Sequence, residues 1–240
     1  MDRARAINLP PVILWLSLVL IGVHVLRQFL SEASDERLLY TFAFIPARYT
    51  EFGTFIPGGA PARIWSPVSY AFLHGDWVHL LVNMVWMASF GGPLARRFGA
   101  MRFLLLSLMT AVAGAALHYV LHRTDQGLVI GASGAISGIM AGTSRFAFSP
   151  HGPLAGGGAA SFDVPAEPLS SAMRNKRAIA FVLVWSATNV IFGAFPGMIA
   201  GVSGPIAWEA HIGGFLAGLL CFPLFDPIRR ERPPGERLAS

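Results

Sequence analysis

Six apolar stretches dominate this 240-residue chain, and each is long enough, or nearly so, to cross a bilayer as a helix. A spanning helix needs about 20 predominantly apolar residues. The stretches lie at about 11–29, 77–95, 101–121, 131–148, 178–196 and 205–225. Charged residues make up only 13% of the chain, about half the share of a soluble domain. We therefore expect an all-α membrane protein, a six-transmembrane-helix bundle that forms a single polytopic domain over residues 1–240.

Two connections between these spans are long. Residues 30–76 form the first loop, which is long for a compact structure and is therefore predicted to be functional or partly structured. Its apolar side chains suit a segment that is associated with the membrane interface. Residues 149–177 form a second connection, rich in glycine and proline.

The distribution of positive charge predicts the orientation of the spans. One set of ends and loops holds thirteen cations: Arg3, Arg5, Arg96, Arg97, Arg102, Arg145, Arg174, Lys176, Arg177, Arg229, Arg230, Arg232 and Arg237. The opposite set holds Arg37, Arg48, Arg63 and Arg123, and Arg27 lies near the end of the first span. Cytoplasmic loops carry the excess of Lys and Arg, so both termini are predicted to be cytoplasmic. The net charge of +5 thus belongs to an inner membrane face, and we expect no nucleic-acid partner.

Two further features bound the class of protein. Cys221 is the only cysteine, which excludes a disulfide within the chain and a zinc site built from cysteines. The first apolar run has no clean small-residue cleavage site after it, and no organelle-targeting segment is evident. We expect a multi-pass protein of the cell membrane, in a bacterial inner membrane.

Polar side chains inside three spans are predicted to lie at one depth. His79 and Asn83 are four residues apart in the second span, Ser133 opens the fourth, and His211 lies about two turns into the sixth. Even-numbered spans run in the same direction, so all four residues fall in the outer third of the bilayer. Polar groups at this depth usually face the interior of the bundle.

Two interpretations of this polar cluster remain open on physical grounds. The side chains can hydrogen-bond one another and hold the helices together. Alternatively, Ser133 is a nucleophile activated by His211 as the adjacent base. Asn83, His79 and the unpaired amides of a first helical turn would then stabilise an oxyanion. The GxxxG spacings in spans four and six permit the close approach that a bond between two short side chains requires.

The motifs HxxxN in span two, GASG at the start of span four and AHIGGFLAG in span six resemble those of the rhomboid intramembrane serine proteases. The resemblance covers nearly the whole chain. It implies a Ser133–His211 dyad without an acidic third member, and an oxyanion site formed by Asn83, His79 and the Ser133 amide, with Gly131 beside it. It also implies hydrolysis of peptide bonds in or near transmembrane helices of other membrane proteins, through an acyl-enzyme and without a cofactor.

Two positions depart from the family pattern. Many relatives have an aromatic residue four positions after the serine, packed on the dyad histidine, where this chain has Ser137. We regard Ser137 as a supporting residue of the site and expect something else to orient the histidine. Many relatives also have a Trp-Arg pair in the first loop, whereas Trp65 is followed here by Ser66.

The resemblance also suggests three accessory residues. His74 precedes span two, where a histidine is common in the family, and we expect it to support the site structurally. Spans two and five flank the route of a substrate helix in the family, which makes Met84 and Phe192 candidates for a gate.

Other ionisable residues in the spans are predicted to play no part in chemistry. His118 and His122 are four residues apart near the outer end of span three and lack a third ligand nearby in sequence. We expect them to lie at the membrane surface and expect no metal site. Glu209 is predicted to be solvated at the start of span six, and a long-range influence on the pKa of His211 is the alternative.

Inactive relatives lose the serine or histidine, or place a proline before the serine, whereas this chain has both residues and Ala132 at that position. A catalytically inactive membrane scaffold or chaperone that binds transmembrane helices is the alternative.

A transporter would place its polar site near the bilayer centre, often within repeated halves, and neither feature is evident. The expected partners are therefore transmembrane-helix substrates and the lipid bilayer.

Overall fold

The computed structural model of the chain describes residues 9–155, 161–194 and 206–228, apart from the side chains at positions 52, 192 and 194. These residues form helices, turns and one isolated antiparallel bridge between Phe44 and Val129. The α-helices are α1 (Pro11–Arg27), α2 (Glu32–Phe42), α3 (Ala62–Ser69), α4 (Trp77–Trp86), α5 (Gly92–Leu121), α6 (Ser133–Ala147), α7 (Leu169–Ala172), α8 (Lys176–Ala194) and α9 (Trp208–Phe225). The predicted helical class is confirmed.

Within the described residues, two helical segments are long and apolar enough to cross a membrane, Trp77–Leu121 and Trp208–Phe225, and α1 is a shorter apolar helix. The first segment has 45 residues and breaks at Gly99, whose φ of +73° favours glycine. A Cβ atom at Gly91 would lie 3.4 Å from the Phe103 ring, although 12 residues of straight helix would span about 18 Å. The chain therefore folds back at Gly99, between the second and third predicted spans. The count of six spans stays a prediction.

The passage from α4 into α5 is a π-helical turn, Met87–Gly91. Pro93 follows this turn, and its missing N–H prevents a regular helical ladder. The hydroxyl of Thr143, in α6, donates a hydrogen bond of 2.8 Å to the carbonyl of Phe90. A side chain of α6 thus satisfies a carbonyl within the irregular turn.

Helix α6 lies at the centre of the bundle, between α5 and α9. Every residue from Gly134 to Ala147 is buried. A Cβ atom at Gly214 would overlap the carbonyl of Gly134, and one at Gly218 would overlap the carbonyl of Gly138. The backbones of α6 and α9 are therefore in direct contact along the face formed by the small residues.

Two arginines, Arg48 and Arg63, hold the first loop together. The Arg48 side chain donates to the carbonyls of Tyr40 and Pro57. Arg63 donates in turn to the carbonyls of Arg48 and Thr50, at 2.6 and 2.9 Å. Because these donors satisfy backbone that forms no regular ladder, the loop is ordered. Its membrane association stays a prediction.

A second pair of arginines fixes the far end of the bundle. Arg97 of α5 makes a bidentate ion pair with Asp226, at 2.8 and 2.9 Å, and also donates to the carbonyls of Phe162 and Val164. Arg145 of α6 donates to the carbonyl of Leu219 at 2.9 Å. Both arginines belong to the set predicted to face the cytoplasm, and they connect the second long connection to α5, α6 and α9.

Candidate active site

Ser133 stands at the first position of α6, directly after a turn that requires glycine. Gly131 has a φ of +119°, in the region that other residues rarely adopt. Its N–H donates to the carbonyl of Tyr70 at 3.0 Å, which anchors the turn. The amide of Ser133 is among the first four of the helix, so it has no intrahelical acceptor.

His211 lies in the first turn of α9 and faces Ser133. Its Nε2 atom is 2.7 Å from the Ser133 Oγ atom, the length of a good hydrogen bond. The contact between Gly134 and Gly214 brings the two helices close enough for these short side chains to meet.

A third side chain determines which nitrogen of His211 carries the proton. The Asn189 Oδ1 atom is 2.5 Å from His211 Nδ1, and Asn189 Nδ2 donates to the carbonyl of Trp185 at 2.8 Å. The amide oxygen only accepts, so His211 Nδ1 carries the hydrogen. The lone pair of Nε2 therefore faces the hydroxyl of Ser133, as a general base requires.

Asn189 is a residue that the sequence reasoning missed. It is 7% exposed, on α8, which also joins α9 through Trp185 stacked on Phe215 at 4.2 Å. Its signal in the sequence is a lone amide inside an apolar run, where polar groups are costly and usually paired. Ser137 is buried within α6, and it is Asn189 that meets His211 Nδ1.

His79 reaches the site from α4, and Asn83 lies one turn further along the same helix. The carboxylate of Asp76 caps this helix by accepting from the His79 amide at 2.7 Å. A Cβ atom at Gly131 would lie 2.7 Å from His79 Nε2 and 3.6 Å from Ser133 Oγ. The His79 ring and the Ser133 hydroxyl therefore lie on either side of Gly131. Asn83 is 3% exposed, and its Nδ2 atom donates to the His79 carbonyl at 2.9 Å.

His74 lies behind the turn that carries Ser133 and is completely buried. Its Nε2 atom is 3.5 Å from the amide of Ala132, and its ring meets His79 edge-on at 5.0 Å. Burial, together with the neighbouring His79 and His24 rings, lowers the pKa of His74 to about 3. A neutral imidazole can accept the Ala132 hydrogen bond, so the position of His74 suits a supporting role.

The two gate candidates lie on different helices. Met84 is half-buried on α4 and packs against the hydrophobic core. Phe192 belongs to α8, but its side chain is outside the described residues. The principal helix contacts of α8 are with α9, and the Phe181 ring meets Phe90 of the π-helical turn at 5.0 Å.

Two expectations about ionisable residues are wrong. Glu209 is 6% exposed rather than solvated, and His118 is 6% exposed rather than at the surface. Glu209 Oε1 is 2.7 Å from His122 Nε2, and Glu209 Oε2 is 3.4 Å from His118 Nδ1. The third member of this cluster was missed because it comes from α9, far along the chain from the two histidines.

Comparisons with known proteins agree with the motifs around this site. A family model described as the Rhomboid domain matches residues 61–226, which contain every site residue named above. RHOMBOID-like protein 4 of Arabidopsis thaliana is 27% identical over 181 residues, 72% of this chain and 38% of that protein. Rhomboid protease GlpG of Yersinia pestis is 31% identical over 159 residues, 66% of this chain and 47% of that protein. The matched region spans less than half the length of each relative.

Proposed function

Because this chain belongs to the rhomboid family, we propose that it is an intramembrane serine endopeptidase that cuts peptide bonds in or near transmembrane helices of other membrane proteins. The observation that carries the proposal is the 2.7 Å hydrogen bond from Ser133 Oγ to His211 Nε2. The proposal includes six spans, both termini on the cytoplasmic face of a bacterial inner membrane, and a site in the outer third of the bilayer.

The first chemical step forms the bond between Ser133 and the substrate. The Oγ atom attacks the carbonyl carbon of the scissile peptide while its proton passes to His211 Nε2. The carbonyl electron pair moves onto the oxygen, which becomes an oxyanion. Asn189 accepts from Nδ1–H throughout, so it stabilises the imidazolium that forms.

Donors for the oxyanion surround the same point. The amide of Ser133 has no intrahelical acceptor, and the positive end of the α6 dipole favours negative charge beside it. The His79 side chain approaches from α4, and the absence of a side chain at Gly131 leaves room between it and Ser133. Asn83 lies one turn further along α4. Donors fixed in advance in this way lower the barrier to the tetrahedral intermediate.

The remaining steps return the enzyme to its starting state. His211 Nε2–H protonates the leaving amine as the C–N bond breaks, which leaves an ester on Ser133. A water molecule then gives its proton to His211 and attacks the ester carbonyl. The second tetrahedral intermediate collapses to a carboxylic acid product, and Ser133 recovers its proton from His211. No cofactor takes part.

The inactive scaffold would share the packing of the helices but would have no need for this alignment. Interhelical hydrogen bonds satisfy polar groups in many arrangements. The positive φ of Gly131 and the chain from Ser133 through His211 to Asn189 instead orient one hydroxyl and one lone pair. This alignment favours the protease over the scaffold.

Replacement of the nucleophile tests the proposal. We expect Ser133→Ala in purified full-length protein to abolish cleavage of a helical transmembrane peptide and labelling by a fluorophosphonate probe. The loss of one hydrogen bond should change the free energy of unfolding by only about 1 kcal/mol. Ser144→Ala is the matched control, because its hydroxyl bonds only within α6, to the Ala141 carbonyl. Full cleavage by Ser133→Ala, or no labelling of the parent protein, would refute the protease.

A further inference from the structure

A second cluster of chemically active side chains lies where α5 ends beside the first turn of α9. His118, His122 and Glu209 bring one ligand atom each to within 4.8 Å of one another. The mechanism proposed for Ser133 uses none of the three. His118 and His122 share one side of the chain, because the His122 amide donates to the His118 carbonyl at 2.9 Å.

The buried negative charge of Glu209 would be stabilised by a cation beside it. Its side chain is 8% exposed, and a buried carboxylate is costly unless it is paired. The nearby Arg123 lies over the Tyr119 ring at 5.7 Å. Asp125, whose Oδ1 accepts from the Gly127 amide at 2.9 Å, adds a negative charge close by. The side chains in contact with the Glu209 carboxylate are two imidazoles, and the backbone amide of Glu209 also donates to it. Imidazoles are common ligands of metal ions.

The spacing of the ligand atoms suits a tetrahedral metal. Ligand atoms bonded to zinc at about 2.0–2.1 Å lie about 3.3 Å apart. His118 Nδ1 and Glu209 Oε2 are already 3.4 Å apart. His122 Nε2 lies 2.7 Å from the other carboxylate oxygen, Glu209 Oε1, and the ligand atoms of the three residues lie within 4.8 Å of one another, so the His122 ring must shift to complete a tetrahedral site. His122 follows the last residue of α5, and its side chain is 40% exposed, so it can make this movement.

We propose that His118, His122 and Glu209 form a binding site for a divalent metal ion of the zinc class. Two imidazoles and one carboxylate are a donor set that zinc uses in proteins, with water as the fourth ligand. The exposed side of His122 gives the ion and this water a route from solvent. Buried His118 and Glu209 provide the two ligands that are already fixed.

The metal joins α5 to α9 directly beside the histidine of the catalytic site. Glu209 precedes His211 by two residues, so the two side chains point to different sides of α9. Next to them, a Cβ atom at Gly114 would lie 2.6 Å from the Ala210 carbonyl, which shows how closely the helices approach. The ion is structural: it fixes the first turn of α9 and takes no part in the peptide-bond chemistry.

Zinc binding to the full-length Ser133→Ala protein in detergent, after removal of metals with a chelator, tests the site. We expect one equivalent of Zn²⁺ by calorimetry, and intense visible absorption from tetrahedral Co²⁺ at the same stoichiometry. At 100-fold excess over Kd, Zn²⁺ should raise Tm by about 5–10 °C. Ca²⁺ and Mg²⁺, which prefer oxygen ligands, should not reproduce the shift.

Variants assign the binding to these residues. His122→Asn should weaken Zn²⁺ binding at least tenfold, since changes beyond the ligand shell already cost about 10–100-fold. Glu209→Gln, which keeps the shape of the side chain, should weaken it as well. His151→Asn, at an exposed histidine elsewhere, should bind like the parent.

Equal affinity in His122→Asn and the parent, or no stoichiometric binding, would overturn the site and leave a hydrogen-bonded His–Glu–His cluster. Zinc held by His79 and His211 instead would also survive the His122→Asn change. Because binding is measured in a protein without the nucleophile, its outcome is independent of whether the chain is a protease.

Discussion

Asn189 Oδ1 lies 2.5 Å from His211 Nδ1, on the side of the imidazole opposite Ser133. A neutral amide thus occupies the place where many serine hydrolases have a carboxylate. An aspartate there would add an uncompensated negative charge at a buried position of α8, which is costly. The amide orients the ring and selects its tautomer without that charge.

Removal of this acceptor should slow the chemistry more than it weakens substrate binding. In Asn189→Ala the imidazole loses the group that selects its tautomer, so we expect kcat to fall on the order of 10²-fold, within the range of general base catalysis. KM should change little, because Asn189 lies behind the histidine. Steady-state cleavage of a transmembrane peptide and the rate of fluorophosphonate labelling should decline together.

The neighbouring Thr188→Ala is the matched control for Asn189. Its hydroxyl bonds within α8, to the Val184 carbonyl at 2.8 Å, and is exposed. We expect parental kcat and parental labelling from this variant. A parental labelling rate in Asn189→Ala would show that His211 is oriented by another group.

Asn83→Ala removes a proposed donor to the oxyanion. We expect kcat to fall by about 10²–10³, as for other donors of this kind, with little change in KM. The kinetics are compared with Ser89→Ala, whose exposed hydroxyl bonds to the Val85 carbonyl near the end of the same helix. An Asn83→Ala enzyme with full kcat would remove this side chain from the oxyanion site.

Local pattern is enough to predict the helices and the proximity of Ser133 to His211. Apolar length indicated the stretches that became α1, α4–α5, α6, α8 and α9, and motif spacing drew attention to Ser133 and His211. The residues missed were those whose partners are remote in sequence. Asn189 stands 22 residues from His211, and Glu209 stands 87 residues from His122.

The burial of Glu209 does not follow from its position in the sequence. Closeness to the start of a span suggested solvent, yet the glycines of α9 draw its first turn against α5. A Cβ atom at Gly213 would lie 2.6 Å from the Ala113 carbonyl. Such backbone contact between helices is a tertiary property, and a GxxxG spacing alone does not identify the helix on the other side.

The same close packing predicts a strong position dependence for glycine substitutions. In Gly218→Ala the new methyl group would overlap the carbonyl of Gly138, and overpacking of this kind costs about 1–3 kcal/mol. Gly22→Ala in α1 meets no atom within 4 Å and should be neutral or stabilising by about 0.5–1 kcal/mol. Unfolding in detergent should rank Gly22→Ala above the parent and Gly218→Ala below it. Equal stabilities would contradict the observed helix contact.

His74 should make the fold sensitive to mild acid. Its pKa is about 3 in the folded protein and about 6.5 when unfolded, so the unfolded state binds the proton first. Above about pH 6.5 His74 is neutral in both states, so it does not lower the free energy of unfolding. As the pH falls from 6.5 toward 3, the free energy of unfolding decreases by up to about 4–5 kcal/mol.

The variant His74→Asn cannot titrate in this range but can still accept from the Ala132 amide. We expect its unfolding free energy to fall less steeply than that of the parent between pH 6.5 and 4, when both are measured in the same detergent. Superimposable pH profiles would show that His74 is not the titrating group, and the other histidines would then account for the slope.

Arg97 and Asp226 should account for much of the stability at the other end of the bundle. Their side chains are 0% and 7% exposed, and removal of one member of a buried pair typically costs about 3–5 kcal/mol. Arg97→Ala also removes the donors to the carbonyls of Phe162 and Val164. We therefore expect a lower Tm together with faster chymotrypsin cleavage at Phe162.

The control is Arg102→Ala, which changes an exposed arginine of α5. Its free energy of unfolding should stay within about 0.5 kcal/mol of the parent value. If Arg97→Ala lost stability without faster cleavage at Phe162, the ion pair alone, and not the bonds to the connection, would explain its effect.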